Sequence, residues 1–312
     1  MQIGDQISES DFATILPDGS FVQLEYIEEE SKPDPYLVKP GIFTIKKTMS
    51  GFKLEETSFV KDKVLSSFVQ TKEVTDKIDC FFQKVNVYHE LGFEVAKRAA
   101  LLYGPAGTGK STIISLVSEK YVADGKTAII VWSTDQIEAY EVKSFIKAFS
   151  YVGVDKIILI AEDIGGVEID QVRIKSDSSL LSLLDNQEKT FTIPVFILAT
   201  TNFPEVFMGN LMNRPNRFDD KIEVGFPPKA ARAELLKFFS KTEPSEEALA
   251  AIMDTKCNEF TPAHIREVVI RSMIYDKTIV EVIKAMVGEI SLYNKAFSKQ
   301  KSAGIGFGRY DD

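Results

Sequence analysis

The sequence predicts an αβα sandwich built on a parallel sheet, with a small β-rich module before it and an all-helical domain after it. Three observations predict this. Four short apolar runs, 98–104 (RAALLYG), 127–132 (TAIIVW), 156–163 (KIILIAED) and 194–202 (PVFILATTN), are rich in Ile, Val and Leu without strict alternation, as strands covered on both faces must be. Helical patterns fill the intervals between the runs, which is the order of an α/β fold. Beyond Pro227 and Pro228 the strand signals stop and only helical patterns follow.

The N-terminal module covers residues 1–60, where Phe21 to Ile27 and Tyr36 to Lys47 are rich in β-branched and aromatic residues and are broken by Pro33, Pro35, Pro40 and Gly41. The α/β domain covers 61–228 and opens on a charged helical stretch from Lys61 to Leu91, with Val74, Ile78, Phe81, Phe82 and Val85 at helical spacing. The helical domain, 229–300, holds patterns over 229–240, 245–254, 261–275 and 278–297. Within it Thr261 and Pro262 form an N-cap and N1 pair. Residues 301–312 are expected to be a flexible or partner-docked tail.

With 44% hydrophobic and 27% charged residues among 312, the chain has enough apolar side chains for one or two cores, which excludes disorder for most of it. Asp and Glu number 46 against 37 Lys and Arg, so the overall field repels phosphate backbones and nucleic-acid binding would need a local basic patch. The start, MQIGDQISES, has no basic region followed by an apolar run, and no segment approaches the roughly 20 apolar residues of a membrane span. A cytoplasmic protein without a membrane partner is expected. Cys80 and Cys257 stand far apart in helical patterns among apolar neighbours and read as buried free thiols.

The chemistry is concentrated in GPAGTGKST, which directly follows the first apolar run and leads into a helical pattern. Its residues are Gly104, Pro105, Ala106, Gly107, Thr108, Gly109, Lys110, Ser111 and Thr112. The glycines permit backbone conformations closed to bulkier residues, so successive N–H groups and the helix N-terminus point at phosphate oxygens. Lys110 then reaches the β- and γ-phosphates of a nucleotide, and the Ser111 hydroxyl ligates Mg²⁺. The fold class becomes that of a P-loop NTPase.

About fifty residues later, KIILIAED ends an apolar strand in two carboxylates, Glu162 and Asp163, at the sheet edge where phosphates are held. One carboxylate can hold the Mg²⁺ water shell while the other polarises the attacking water. Asn202 ends the next strand and is placed to orient a water near the γ-phosphate. Arg214 and Arg217 follow in NRPNRFD, a pair that by itself would be a solvated surface turn.

In this order GPAGTGKST, IILIAED, LATTN and NRPNRFD resemble the Walker A, Walker B, sensor 1 and arginine-finger motifs of AAA+ ATPases, over roughly residues 70–275. The TTN followed by an RPGRFD-like run is most similar to the AAA proper group. The Glu-then-Asp order and SLLSLLDN, 179–186, are similar to mitochondrial membrane-bound AAA proteins that assemble respiratory complexes, whose membrane anchor is not found here. The resemblance implies ATP and Mg²⁺ as ligands and a hexameric ring, in which Arg214 and Arg217 reach the ATP of the neighbouring subunit. Glu162 takes the place of the family's Mg²⁺-associated Asp and Asp163 that of its catalytic Glu; in the alternative register Asp163 is metal-associated and Ile164 occupies the base position. Arg266, in TPAHIRE, is the candidate sensor 2 contact to the nucleotide, and His264 at the same helix start is a capping or a packing residue.

No glycine follows Trp132, so this residue reads as strand-end core rather than a channel grip. Residues 165–177 fall where the family's second channel loop lies, with Arg173 and Lys175 the nearest approach to a basic patch. Three functions remain open: a remodelling ATPase that meets a protein substrate or adaptor through the N-terminal module, a nucleic-acid-directed loader or motor, and a nucleotide-gated scaffold with little turnover.

Overall fold

A computed structural model of the chain describes residues 12–15, 21–25, 40–48, 51–59, 69–93, 96–134, 137–149, 154–165, 180, 183–184, 193–204 and 217–302. The chain divides into two units, Met1–Pro105 with Gly109–Gly225, and Ala106–Thr108 with Phe226–Asp312.

The first unit is organised on a sheet of nine strands among the described residues: β1 (Phe12–Ile15), β2 (Phe21–Glu25), β3 (Ile42–Thr48), β4 (Gly51–Glu56), β5 (Lys97–Tyr103), β6 (Thr127–Trp132), β7 (Lys156–Ala161), β8 (Val195–Thr201) and β9 (Asp220–Glu223). Their order is β1-β2-β4-β3-β6-β7-β8-β5-β9. From β3 to β9 in that order every pairing is parallel. The four apolar runs are β5 to β8, and their lack of alternation follows from burial on both faces. Leu101, Leu159 and Ile197 enter one layer with Val142, Phe145, Ile146 and Phe149 of α4 (Ala139–Phe149). Leu102, Ile160 and Leu198 enter the other, with Val74, Ile78 and Phe81 of α1 (Val69–Gln83) and Ile113, Ile114 and Val117 of α3 (Lys110–Val122). Each such side chain contributes about 1.5–3 kcal/mol by leaving water.

Two expectations change. The helical stretch breaks at Lys84 into α1 and a short α2 (Val85–Glu90), and Cys80 is exposed rather than buried. Cys80 sits two residues from Ile78, about 200° around the helix and so away from the face that enters the core; Cys257 is buried as expected. The N-terminal strands extend the main sheet, because β3 pairs with β6 (Ile42↔Ile129) and Ile42, Phe43, Ile45 and Leu54 join the two core layers. Finally, β9 is a strand absent from the sequence reading: it has four residues, of which Ile222 alone is buried.

The helices of the second unit are α5 (Lys229–Phe239), α6 (Glu246–Met253), α7 (Pro262–Ile274) and α8 (Ile279–Ser302), matching the four helical patterns. Arg232, 2% exposed, closes the C-terminus of α6 by donating to the carbonyls of Ile252 (2.9 Å), Met253 (3.3 Å) and Asp254 (3.1 Å). A cation is favoured there because those carbonyls carry the negative end of the helix. Among the described residues no helix is long and apolar enough to cross a membrane.

Candidate active site

The P-loop leaves the carboxyl end of β5, and its glycines are where backbone geometry requires them. Gly104 has φ 149°, and a Cβ there would lie 2.2 Å from the Val224 carbonyl oxygen, since the end of β9 passes against it. Gly109, at φ 104°, sets the left-handed turn from which α3 starts. Lys110 is the first residue of that helix, only 5% exposed, and its Nζ donates to the carbonyls of Gly104 (2.8 Å) and Pro105 (2.9 Å). Burial pushes its ammonium below the usual lysine range, against the charge of Asp163. The loop crest, Ala106–Thr108, belongs with the second unit, where the Ala263 N–H donates to the Gly107 carbonyl at 3.3 Å.

The two carboxylates turn off the end of β7. Glu162 is hydrogen-bonded by the Ser111 side chain; burial raises its carboxyl above the usual range, the Ser111 bond opposes this and the charge of Asp163 adds to it. Asp163 adopts φ 49°, a left-handed conformation that Asp tolerates. Two bonds hold it there: its N–H donates to Thr200 Oγ1 at 2.9 Å, and the Asn202 amide donates to its Oδ1 at 2.9 Å. Ile164 N–H donates to the Thr200 carbonyl at 2.8 Å and its side chain is 2% exposed, in the core. The register that would place Ile164 at the base position therefore presents no side chain to the site.

Thus Lys110, Ser111, Glu162, Asp163 and Asn202 meet at the carboxyl ends of β5, β7 and β8, the edge where ligands bind in open parallel sheets. A hydroxyl beside a carboxylate suits Mg²⁺, an ion that takes one or two protein oxygens and completes its shell with water and phosphate. Sequence reasoning missed Thr200, the 1% exposed residue whose hydroxyl and carbonyl fix Asp163 and Ile164; its signal was the polar Thr in an otherwise apolar strand.

The arginines are placed differently. Arg214 lies outside the described residues, as do Arg173, Lys175 and all of 165–177 except Gly165. Arg217 precedes β9 and is 5% exposed, beside Phe218 in the core, so it is not a protruding side chain in the free chain. The register Ala100↔Asp220 puts that end of β9 four residues upstream of Gly104, roughly 13 Å from the P-loop. Arg266 stands exposed on α7. Trp132 is core, 1% exposed, with its Nε1–H donated to the Ile137 carbonyl at 2.8 Å. His264 is a capping residue, its Nδ1 accepting the Thr261 N–H at 3.1 Å.

Residues 100–226 match the family model described as "ATPase family associated with various cellular activities (AAA)". The chain is 29% identical over 185 residues to the cell division cycle protein 48 homolog of Archaeoglobus fulgidus, covering 56% of this chain and 24% of that protein. It is 28% identical over 227 residues to the proteasome-activating nucleotidase of Methanothermobacter thermautotrophicus, covering 66% and 53%. It is also 28% identical over 214 residues to the ATP-dependent zinc metalloprotease FtsH of Clostridium perfringens, covering 64% and 29%. The matches thus span from about a quarter to about half of these relatives' own lengths. The stretch from 100 to 226 is similar to the AAA ATPase family, and the chain shows distant similarity to these three proteins.

Proposed function

We propose that the chain binds ATP with Mg²⁺, hydrolyses it to ADP and phosphate, and does so within a hexameric ring that remodels a protein partner. The observation that carries this reading is the meeting of Ser111 with Glu162 and of Asn202 with Asp163 beside the P-loop lysine. The N–H groups of Gly104 to Thr112 and the start of α3 cradle the phosphates, and Lys110 exchanges its loop carbonyls for phosphate oxygens. Ser111 and Glu162 are the residues that would hold Mg²⁺, which when bound would neutralise charge on the phosphates. Asp163 accepts the proton of the attacking water on Oδ2, while Asn202 holds Oδ1 and so fixes the carboxylate plane.

The ring rests on the arginines. The end of β9 that follows Arg217 is roughly 13 Å from the P-loop of the same chain, so the Arg214 and Arg217 turn serves a neighbour's nucleotide, with Arg214 as the reaching side chain and buried Arg217 as its support. A protein partner is favoured over nucleic acid by the acidic balance of 46 against 37 charges, with the N-terminal strands as the recognition element.

One observation favours a nucleotide-gated scaffold as the second reading: Asp163 is one methylene shorter than Glu and already shares an oxygen with Asn202, which favours slow turnover. Phosphate release measured over a range of protein concentrations tests the proposal. Mg²⁺-dependent turnover per chain that rises with concentration supports a ring ATPase; nucleotide binding without turnover at any concentration supports the scaffold.

A further inference from the structure

Helix α7 starts with a capping box whose third residue is a histidine. The Thr261 hydroxyl accepts the His264 N–H at 3.3 Å, and His264 Nδ1 accepts the Thr261 N–H at 3.1 Å while lying 2.9 Å from Thr261 Oγ1. Accepting that N–H requires an unprotonated Nδ1, so the neutral ring carries its proton on Nε2 and the Thr261 hydroxyl donates to Nδ1 as well. Two donors therefore converge on one lone pair. The usual residue at this position is Glu or Gln, which would make the same bond without titrating near neutral pH.

What this cap supports is the crest of the P-loop. Thr261, 2% exposed, and Ala263 pack so closely on Gly107 that a Cβ there would lie 3.0 Å from both Thr261 Oγ1 and Ala263 Cβ. The Ala263 N–H, which the cap holds in place, donates to the Gly107 carbonyl. We propose that neutral His264 is a positioning residue for the nucleotide site, and that its protonation releases the start of α7 from the P-loop crest and weakens nucleotide binding. This inference rests on the reading of Gly104–Thr112 as a phosphate cradle.

The surroundings of the ring suit a neutral imidazole. It is half-buried against Phe260, with ring centroids 5.7 Å apart, and burial is the cause that holds its pKa below the usual histidine value. Gly107, which packs on this helix start, and its neighbours Ala106 and Thr108 carry no titratable side chain; Glu259 and Lys256 precede the helix, Arg266, Glu267 and Arg271 follow on α7 itself, and the helices packed against it carry buried Arg232 on α5 and Glu289, paired with Arg271, on α8. For a base whose pKa is lower folded than unfolded, the unfolded chain binds more protons between the two values. The contribution of the cap is then complete above about pH 6.5 and is lost as pH falls through the folded pKa.

The test compares the full-length protein with His264→Gln and His264→Ala between pH 7.5 and 5.0, reading ADP affinity by calorimetry and the thermal midpoint without nucleotide. Relative to His264→Gln, the wild type is expected to lose about fivefold in affinity as pH falls, the size of a lost helix cap. His264→Ala should show that loss at every pH, and His264→Gln should bind as the wild type does at pH 7.5. Parallel pH profiles for wild type and His264→Gln, in both affinity and midpoint, would overturn the inference. A midpoint difference that grows below pH 6.5, with affinities that stay parallel, keeps the cap but rejects its action on the nucleotide site. Failure of every form to bind ADP while that midpoint difference persists would strike at the phosphate-cradle reading instead. With only His89 and His264 in the chain, imidazole resonances assigned by the variant report the protonation directly.

Discussion

At the amino end of β5 and β9, Asp220 is held between Lys77 at 2.6 Å and Arg98 at 2.9 Å; burial raises its carboxyl, but these two cations outweigh burial and keep it below the usual range. At the carboxyl end of the same sheet, Glu162 and Asp163 stand side by side with a hydroxyl and an amide as partners, and Glu162 is pushed above that range. The two ends use similar residues to opposite purposes. Where a carboxylate is neutralised by fixed cations it locks elements together, in this case α1, β5 and β9. Where carboxylates are held by neutral donors, their charge is left uncompensated by a fixed cation, which suits the proposed Mg²⁺ site. Substitutions at the amino end should therefore cost stability, and substitutions at the carboxyl end should cost rate.

Arg214→Ala is the strongest challenge to that division, because Arg214 precedes β9 yet is expected to act on rate. Turnover should fall by roughly 10³–10⁵ with nucleotide affinity nearly intact. Mixing this variant with Asp163→Asn should restore part of the activity, since some interfaces then pair an intact pocket with an intact arginine; steady-state phosphate release from the mixture checks it. Asp163→Asn alone should keep ATP bound and lower turnover by roughly 10²–10⁴, as loss of a general base does. Single-turnover measurement separates this from a loss of binding. Equal rates in wild type and variant would place the base elsewhere.

The remaining two concern stability. Gly104→Ala forces a Cβ into the Val224 carbonyl oxygen at a positive φ and should destabilise the first unit by about 2–3 kcal/mol, read as a lower urea midpoint. Asp220→Asn removes one carboxylate from two cations that are themselves about a third exposed, so the expected cost at pH 7 is about 1–2 kcal/mol, with turnover per folded chain unchanged. Because the folded carboxyl titrates below its ordinary value of 3.8, this stabilisation is present above that pH and is lost as pH falls through the depressed value. Denaturation midpoints of wild type and variant should converge in acid. A rate effect as large as that of Asp163→Asn would erase the distinction between the two ends.

The carboxyl end was the more legible of the two. Strands buried on both faces announce themselves as unbroken apolar runs, and a P-loop is constrained at nearly every position, so β5 to β8 and the loop leading from β5 into α3 could be read directly, whereas the role of Thr200 in holding Asp163 could not. The amino end depends on pairing across long sequence separations, Lys77 with Asp220 and Arg98 with Asp220, which no local pattern encodes. For the same reason β9 was invisible: four residues with one buried side chain become a strand only beside β5. The N-terminal strands could be read as strands but not as part of the main sheet, since the partner that adopts them, β6, comes some eighty residues later. Local pattern also left His264 between capping and packing; the geometry of Thr261 decided it.

The division between the two ends presupposes that the loop from Gly104 to Thr112 holds a nucleotide's phosphates, and calorimetry of Mg·ATP binding to wild type and Lys110→Ala tests this most directly. Lys110 contributes the cation nearest the loop carbonyls, so its loss should abolish measurable binding while the fold, followed by circular dichroism, is kept. Unchanged affinity in a folded Lys110→Ala protein, or no binding by the wild type, would contradict the account.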